Sequence, residues 1–321
     1  MADILLTIQH NGKVFTPPIE EGIKIEWERT GSPGKLTFTT IKVTNGADMS
    51  FDEGDPVCFY YDKKPIFMGY VFTKKRDKEH RIEVTCYDQI RYLKNKYTYV
   101  FENKTATQII KALCKDFNLT TGSMANTSYV LPAIAEENTS ALDIILKVLE
   151  ETLTNNGNMF VLYDDFGKLT LKNSADMVST TLIFEDSAEN FDYSSSIDDE
   201  TYNSIVLYYK EDDEKIEIYT ASDKSAISKW GTLRYFEEVK HKSIGQNKAD
   251  ALLKLYCKKT RELKVNGAFG DITVRGGTLI PVKLNLGDII VNNYMLVDKV
   301  THTFEKDHYT MDLTLEGAWE D

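Results

Sequence analysis

Cysteine, proline and glycine are all sparse in this 321-residue chain, at 4, 7 and 18 residues. Cys58, Cys86, Cys114 and Cys257 form no C-x-x-C pair, and Cys114 and Cys257 fall in predicted helices. That usage points to reduced, buried thiols and away from a disulfide framework or a zinc knuckle. With few turn residues against 15 Phe and 18 Tyr, low-complexity and linker segments are excluded. Long apolar runs are missing as well, so no membrane span is expected. The first residues, MADILLTIQHNG, lack the basic and apolar regions of a signal peptide, so export by the general secretory route is not expected. Basic charge is also short, with 38 Lys and Arg against 50 Asp and Glu, for a net charge of −12. Such a surface has no electrostatic reason to seek nucleic acid, whose binding rests on phosphate neutralisation. The acidity reads first as solubility. Its second reading is the wall of a channel through which DNA slides without sticking.

Signatures of catalysis are missing too. Gly267, Gly270, Gly276 and Gly277 fit neither a dinucleotide fingerprint nor a P-loop, and no G-x-S-x-G or H-E-x-x-H occurs. His302 and His308 flank a turn with Asp307, and both are expected to be solvated hairpin histidines. The acid runs Asp164-Asp165, Asp198-Asp199-Glu200 and Glu211-Asp212-Asp213-Glu214 read as turns, whereas acid–base catalysis needs carboxylates opposed across a cleft. Phe59-Tyr60-Tyr61 and Tyr208-Tyr209 lie in strands, where aromatics are preferred for packing. The expectation is no catalytic residue, no cofactor and no metal site.

What is present is strand periodicity. Ile4–Gln9, Ile23–Glu28, Lys35–Val43, Val57–Tyr61, Ile66–Lys74 and Arg81–Tyr87 read as strands, with Ile23, Ile25 and Trp27 on one face. The period then changes. Thr105 to Gln108 is a capping box ahead of Ile109, Ile110, Leu113 and Phe117 at helical spacing. A second helix starts near Thr139-Ser140 with Leu142, Ile145, Leu146, Leu149 and Leu153 on its buried face, and a hairpin over Met159–Lys172 follows. Ser204–Lys210 and Lys215–Thr220 are strands again, one amphipathic helix carries Ala249, Leu252, Leu253 and Tyr256, and strands resume at Gly270–Val274. The fold class is β-rich α+β. Two similar small β-barrel domains stand at the chain ends, residues 1–100 and 196–321, the second with a helix inserted. An α+β domain over 101–195 lies between them.

A weak internal repeat supports the two end domains. Gly54-Asp55, Gly69-Tyr70-Val71 and Ile82–Cys86 correspond in order to Gly287-Asp288, Asp298-Lys299-Val300 and Met311–Leu315. The spacing shortens the second copy's hairpin by four residues, an even change that keeps inward faces inward. The two Gly-Asp strands should then occupy equivalent places in two superposable domains.

The order of parts resembles a known family: a G-D strand near the N-terminus, Tyr97–Asn103 leading into Asn103-Lys104-Thr105-Ala106-Thr107-Gln108-Ile109-Ile110, then Leu119–Gly122, Leu142–Ile145 and a second G-D strand. It is similar to the XkdQ/YqbQ-type tail proteins, related in role to baseplate hubs of contractile phages and to the N-terminal half of VgrG spikes. The resemblance implies a homotrimeric ring that adapts a six-fold tail tube to a three-fold spike, since three chains with two β-domains present six. It implies as partners the tail tube protein, the central spike, and LysM-bearing or other baseplate proteins. It implies no catalytic residues, hydrolase activity belonging to fused or neighbouring domains. A virion or tail-like bacteriocin assembled in the bacterial cytoplasm and released by lysis is the implied setting. A cell-wall-degrading hydrolase and a glycan-binding surface module are the alternative readings.

Overall fold

Alternation decides the faces. In Ile23–Glu28 the side chains of Ile23, Ile25 and Trp27 are buried and those between them are not. The same period runs through Lys35–Ile41 and Arg81–Tyr87, which bury Leu36, Phe38, Val84 and Cys86. The computed structural model describes residues 3–20, 22–41, 50–198, 200–212, 215–239, 241–287 and 289–317. Residues 42 and 43 of the expected strand Lys35–Val43 lie outside them, as do Asp199, Asp213, Glu214 and Asp288.

One 13-stranded sheet dominates. Its strands are β1 (Ile4–His10), β2 (Lys13–Phe15), β3 (Ile23–Glu28), β4 (Lys35–Ile41), β5 (Pro56–Tyr61), β6 (Lys64–Arg76), β7 (Arg81–Tyr87), β8 (Ile183–Phe184), β9 (Asn190–Ser196), β10 (Thr260–Phe269), β11 (Leu279–Asn285), β12 (Ile290–Phe304) and β13 (Tyr309–Glu316). The path β9-β10-β13-β12-β3-β4-β7-β6-β5-β1-β2 is continuous, with β11 added beside β12 and β8 beside β11. Strands from both ends of the chain therefore share one sheet and one apolar core. Among the described residues no strand pairing closes the sheet into a barrel.

The repeat survives in a different form. The order β3-β4-β7-β6-β5 recurs as β9-β10-β13-β12-β11. Registers agree as well: Leu36 pairs with Cys86 and Phe38 with Val84, while Leu263 pairs with Leu315 and Val265 with Leu313, all eight buried. A bulge falls between Val71 and Thr73 in β6 and between Val297 and Lys299 in β12. The structural equivalents are thus Ile82–Cys86 with Met311–Leu315, as the sequence suggested, but Val71 with Val297 and not with Val300. The Gly-Asp pairs are not equivalent at all. Gly54 precedes β5, whereas Gly287 lies in the turn between β11 and β12, whose counterpart is Asp62-Lys63. That turn is two residues longer in the second copy, not shorter. Both glycines have φ near +93°. The matching letters therefore report a shared need for a left-handed turn residue, which glycine meets without strain.

Two smaller units branch from this sheet. Between β7 and β8, a second core gathers Leu93, Ile110, Leu113, Ile145 and Leu169 around helices α1 (Ala106–Asp116) and α2 (Ala141–Asn156). Thr105 and Gln108 form the expected capping box, and Ser140 caps α2, which ends on Gly157 in the left-handed region. Between β9 and β10 the insertion is larger than one helix. Strands Ser204–Asp212, Lys215–Ser222 and Arg234–Glu238 form a separate sheet with α3 (Lys224–Trp230) and α4 (Gly245–Tyr256), and Ile205, Leu207, Ala249 and Leu252 make a third core. Gly270–Val274 is not a strand but the turn after β10, which the alternating pattern from Thr260 had not been credited with.

Thr105→Ala removes the hydroxyl that accepts from the Gln108 backbone amide, so an end amide of α1 loses its partner. Urea denaturation should show a loss of about 1 kcal/mol, the usual value of such a cap. An unchanged midpoint would show that α1 draws nothing from this contact.

Candidate functional site: a buried polar junction

Three charged side chains meet where the middle unit joins the sheet. Asp88, directly after β7, caps the 3-10 turn Gln89–Lys94: its carboxylate accepts from the amides of Ile90 at 3.0 Å and Gly34 at 2.8 Å. Asp164 ends the hairpin strand Phe160–Asp164 and accepts from Gln89 Nε2 at 3.1 Å and the Gly167 amide at 2.5 Å. Gln89 Oε1 in turn accepts from the Thr120 amide at 3.0 Å. Arg275 enters from the loop between β10 and β11. Its guanidinium donates to the Asp164 carbonyl at 3.1 Å and lies 4.3 Å from the Tyr163 ring centre and 4.9 Å from that of Trp27. A side chain at Gly34 would strike Asp88 and Trp27, so glycine is what lets these groups approach.

Burial raises the pKa of Asp88 well above the carboxylate range, and the Asp164 charge adds to this against the two amide donors. Asp164 is raised by burial as well, opposed by Gly167, Gln89 and Arg275. Burial lowers the pKa of Arg275, with Tyr163 and the acids acting the other way. One cation facing two desolvated carboxyls favours retention of a proton by the pair.

His302 sits next to this cluster, fully buried, with its ring 5.2 Å from Trp27. Nε2 donates to the Val274 carbonyl at 2.9 Å and Nδ1 accepts from the Tyr309 hydroxyl at 2.9 Å, an arrangement that needs the neutral ring. Burial lowers its pKa to about 4.

Two expectations are corrected here. Asp164 is not a solvated turn residue, being 6% exposed, and His302 is not a solvated hairpin histidine, being 0% exposed. The alternation Val300, His302, Phe304 carries the inward parity of His302. Nothing local marks Asp164, because its partners come from Gln89 and Arg275, far away in the chain. The rest of the surveyed acids are exposed where described: Asp165, Asp198, Glu200 and Asp307, as is His308. No side-chain description covers Glu211 or Asp212. Among the described residues no group of three or more His, Cys, Asp or Glu could hold a metal ion. The four cysteines are free, two of them buried; Cys114 is in α1 and Cys257 follows α4. Phe59 and Tyr61 pack on Phe304, and Tyr208 stacks on Phe236.

A crevice of about 900 Å³ opens between α2, the insert and the sheet, and several glutamates line it. Glu28, Glu262 and Glu316 each face a cation there, Lys299, Lys264 and Arg29. Glu28 and Glu316 pair across strands, and Glu262 pairs with Lys264 on its own strand β10.

This architecture has known counterparts. A family model described as YQBQ-like matches residues 23–316. The chain belongs to the YQBQ-like family. It is 34% identical to the uncharacterized protein YqbQ of Bacillus subtilis (strain 168) over 91% of this chain and 90% of that one. It is 32% identical to the phage-like element PBSX protein XkdQ of the same organism, over 91% of each. In fold it is similar to the 43 kDa tail protein of prophage MuSo2 from Shewanella oneidensis, at a TM-score of 0.72 and 14% identity, covering 97% of this chain and 98% of that one. The fold is thus that of a phage tail protein, and no helix among the described residues is long and apolar enough to cross a membrane.

Two variants probe the junction. Arg275→Met should lower stability by about 1–3 kcal/mol at neutral pH, because the Asp164 carbonyl loses its charged donor. A loss near zero would show that the cluster is solvated. For His302, the folded pKa of about 4 lies below the ordinary 6.5, so its contribution is complete above 6.5 and is lost as pH falls toward 4. The loss amounts to about 3 kcal/mol at 1.36 kcal/mol per pKa unit. Urea midpoints of wild type and His302→Gln between pH 7 and 4 isolate this term, since the acids titrate in both. The variant should have the flatter profile, and parallel profiles would exclude a buried neutral imidazole.

Proposed function

We propose that the chain is a structural subunit of a phage-tail-like baseplate, a hub whose copies form a trimeric ring between a six-fold tail tube and a three-fold spike. The observation that carries this is the five-strand order present twice in one chain. Three chains then offer six related β-units, the number needed to meet a six-fold partner. Membership of the YQBQ-like family and the similarity to a phage-element protein and a prophage tail protein support the same setting. In this reading the end regions, residues 1–100 and 196–321, are the tube-like domains and 101–195 the connecting one. Ile183–Ser196 is better counted with the C-terminal region, to which its pairing ties it.

The partners in this reading are further copies of the chain, the tail tube protein, the spike, and LysM-bearing or other baseplate proteins. The particle, a virion or tail-like bacteriocin, assembles in the bacterial cytoplasm and leaves by lysis. The role is not enzymatic: the buried acids serve the junction, and Glu28, Glu262 and Glu316 of the crevice are ion-paired. The excess of acid, −12 per chain, suits a lumen wall that repels phosphate over roughly 8 Å at physiological salt.

Native mass spectrometry of the purified chain should give a three-chain mass, and zymography on peptidoglycan should show no clearing. A strictly monomeric chain at high concentration removes the ring. Clearing that disappears in Glu316→Gln restores the hydrolase reading.

A further inference from the structure

The two five-strand units are joined inside the chain by one antiparallel pairing. The distal half of β12 lies against β3, with Lys299 opposite Glu28, Thr301 opposite Glu26 and Phe304 opposite Ile23. By the equivalences set out above, β6 is the counterpart of β12 and β9 the counterpart of β3. The same joint could therefore form once more, between the distal half of β6 and β9. Within one chain it does not: the sheet path runs from β9 at one end to β6, β5, β1 and β2 at the other.

Among the described residues neither edge has a further strand where the joint would need one. β5 covers β6 only as far as Tyr70; beyond it the backbone of Gly54 and Asp55 bonds to Val71, and the Lys74 side chain reaches the Phe51 carbonyl and Asp52. Thr73, Lys75 and Arg76 beyond them are exposed. Among the described residues β9 has a single strand partner, β10, and exposes Asn190, Asp192, Ser194 and Ser195. It carries no proline and no Lys or Arg, the residues that block edge pairing in natural sheets. The two edges are also complementary in charge on their outer face, Lys75 on one and Asp192 on the other.

We propose that β9 of one copy pairs antiparallel with the distal half of β6 of the next, repeating between chains the joint that β3 and β12 make within one. Carrying over the internal register places Thr73 opposite Ser196, Lys75 opposite Ser194 and Arg76 opposite Tyr193, with Asp192 on the same face as Lys75 and diagonal to it. The joint is heterologous, each copy giving β6 on one side and β9 on the other, so identical steps run around a ring until it closes. The alternation of internal and external joints then makes all units neighbours of the same kind. This rests on the ring reading of the preceding section, which leaves open which surfaces meet.

The test uses the full chain carrying Lys75→Cys and Ser194→Cys, both at exposed positions, with each single variant and wild type as controls for the native cysteines. After treatment with a short bis-maleimide, the double variant should run as a covalent three-chain species on a denaturing gel, and the singles should match wild type. A native three-chain mass without this cross-link overturns the proposed joint and leaves the ring reading standing. Absence of a three-chain mass in wild type overturns the ring reading and the joint with it. An open ladder of cross-linked lengths upholds the strand pairing and overturns closure at three.

Discussion

The pairing of Ile23–Glu28 with Lys299–Phe304 is the contact on which the rest of the molecule depends. It brings together segments about 275 residues apart and turns two strand groups into one sheet with one core. Trp27 and His302 sit on its inner face, and Arg275 stacks on the outer side of the same Trp27 ring. On its other face Lys299 bridges Glu26 and Glu28. A one-residue slip would exchange these faces, exposing Trp27 and burying Lys299, so register is strongly specified here. The middle unit and the insert both hang from strands whose places this pairing sets.

A half-buried cation beside two buried carboxyls is a poor way to gain stability, since desolvation offsets most of the attraction. Its value at this junction is directional. Asp88 accepts from two fixed amides and Asp164 from a fixed amide and Gln89, so the middle unit can dock on the sheet in one orientation only. An apolar contact of the same area would tolerate sliding. In the proposed ring, where two halves of one chain would present matched edges, a fixed orientation matters more than a few kcal/mol. We read the polar junction as serving that need.

Elements governed by neighbouring residues were legible in the sequence. The capping box at Thr105, the alternation of Ile23–Glu28 and Arg81–Tyr87, and the stripe of Ile109, Ile110 and Leu113 each follow from a rule spanning fewer than a dozen residues. What depended on distant partners was not legible. Asp164 looks like half of an acidic turn until Gln89 and Arg275 arrive from elsewhere. His302 looks like a hairpin residue because its hairpin ends nearby, although its strand parity already placed it inward. The repeat falls between these cases. Its strand order is real, yet the Gly-Asp letters that suggested it mark two different turns, chosen by the same conformational demand at Gly54 and Gly287. Turn chemistry recurs wherever φ is positive, so it is a weak guide to which strand precedes or follows.

The bulges offer a firmer guide to the repeat, because an extra residue in one strand leaves a mark that side-chain chemistry alone does not require. Both copies place it in the long strand, just where its edge partner changes: β12 passes from β11 to β3 across Val297–Lys299, and β6 leaves β5 near Val71–Thr73. A bulge bends and twists its strand locally. Sheets curve into closed forms by such bends set at defined positions. At β12 the bend carries the sheet from one unit onto the next, and Arg29 fixes it by donating its amide and its side chain to Asp298. At β6 the equivalent bend is present, and among the described residues no strand continues beyond it. A curved edge with its turning point already built has the shape that a neighbouring strand continues. The internal joint thus serves as the physical precedent for the external one.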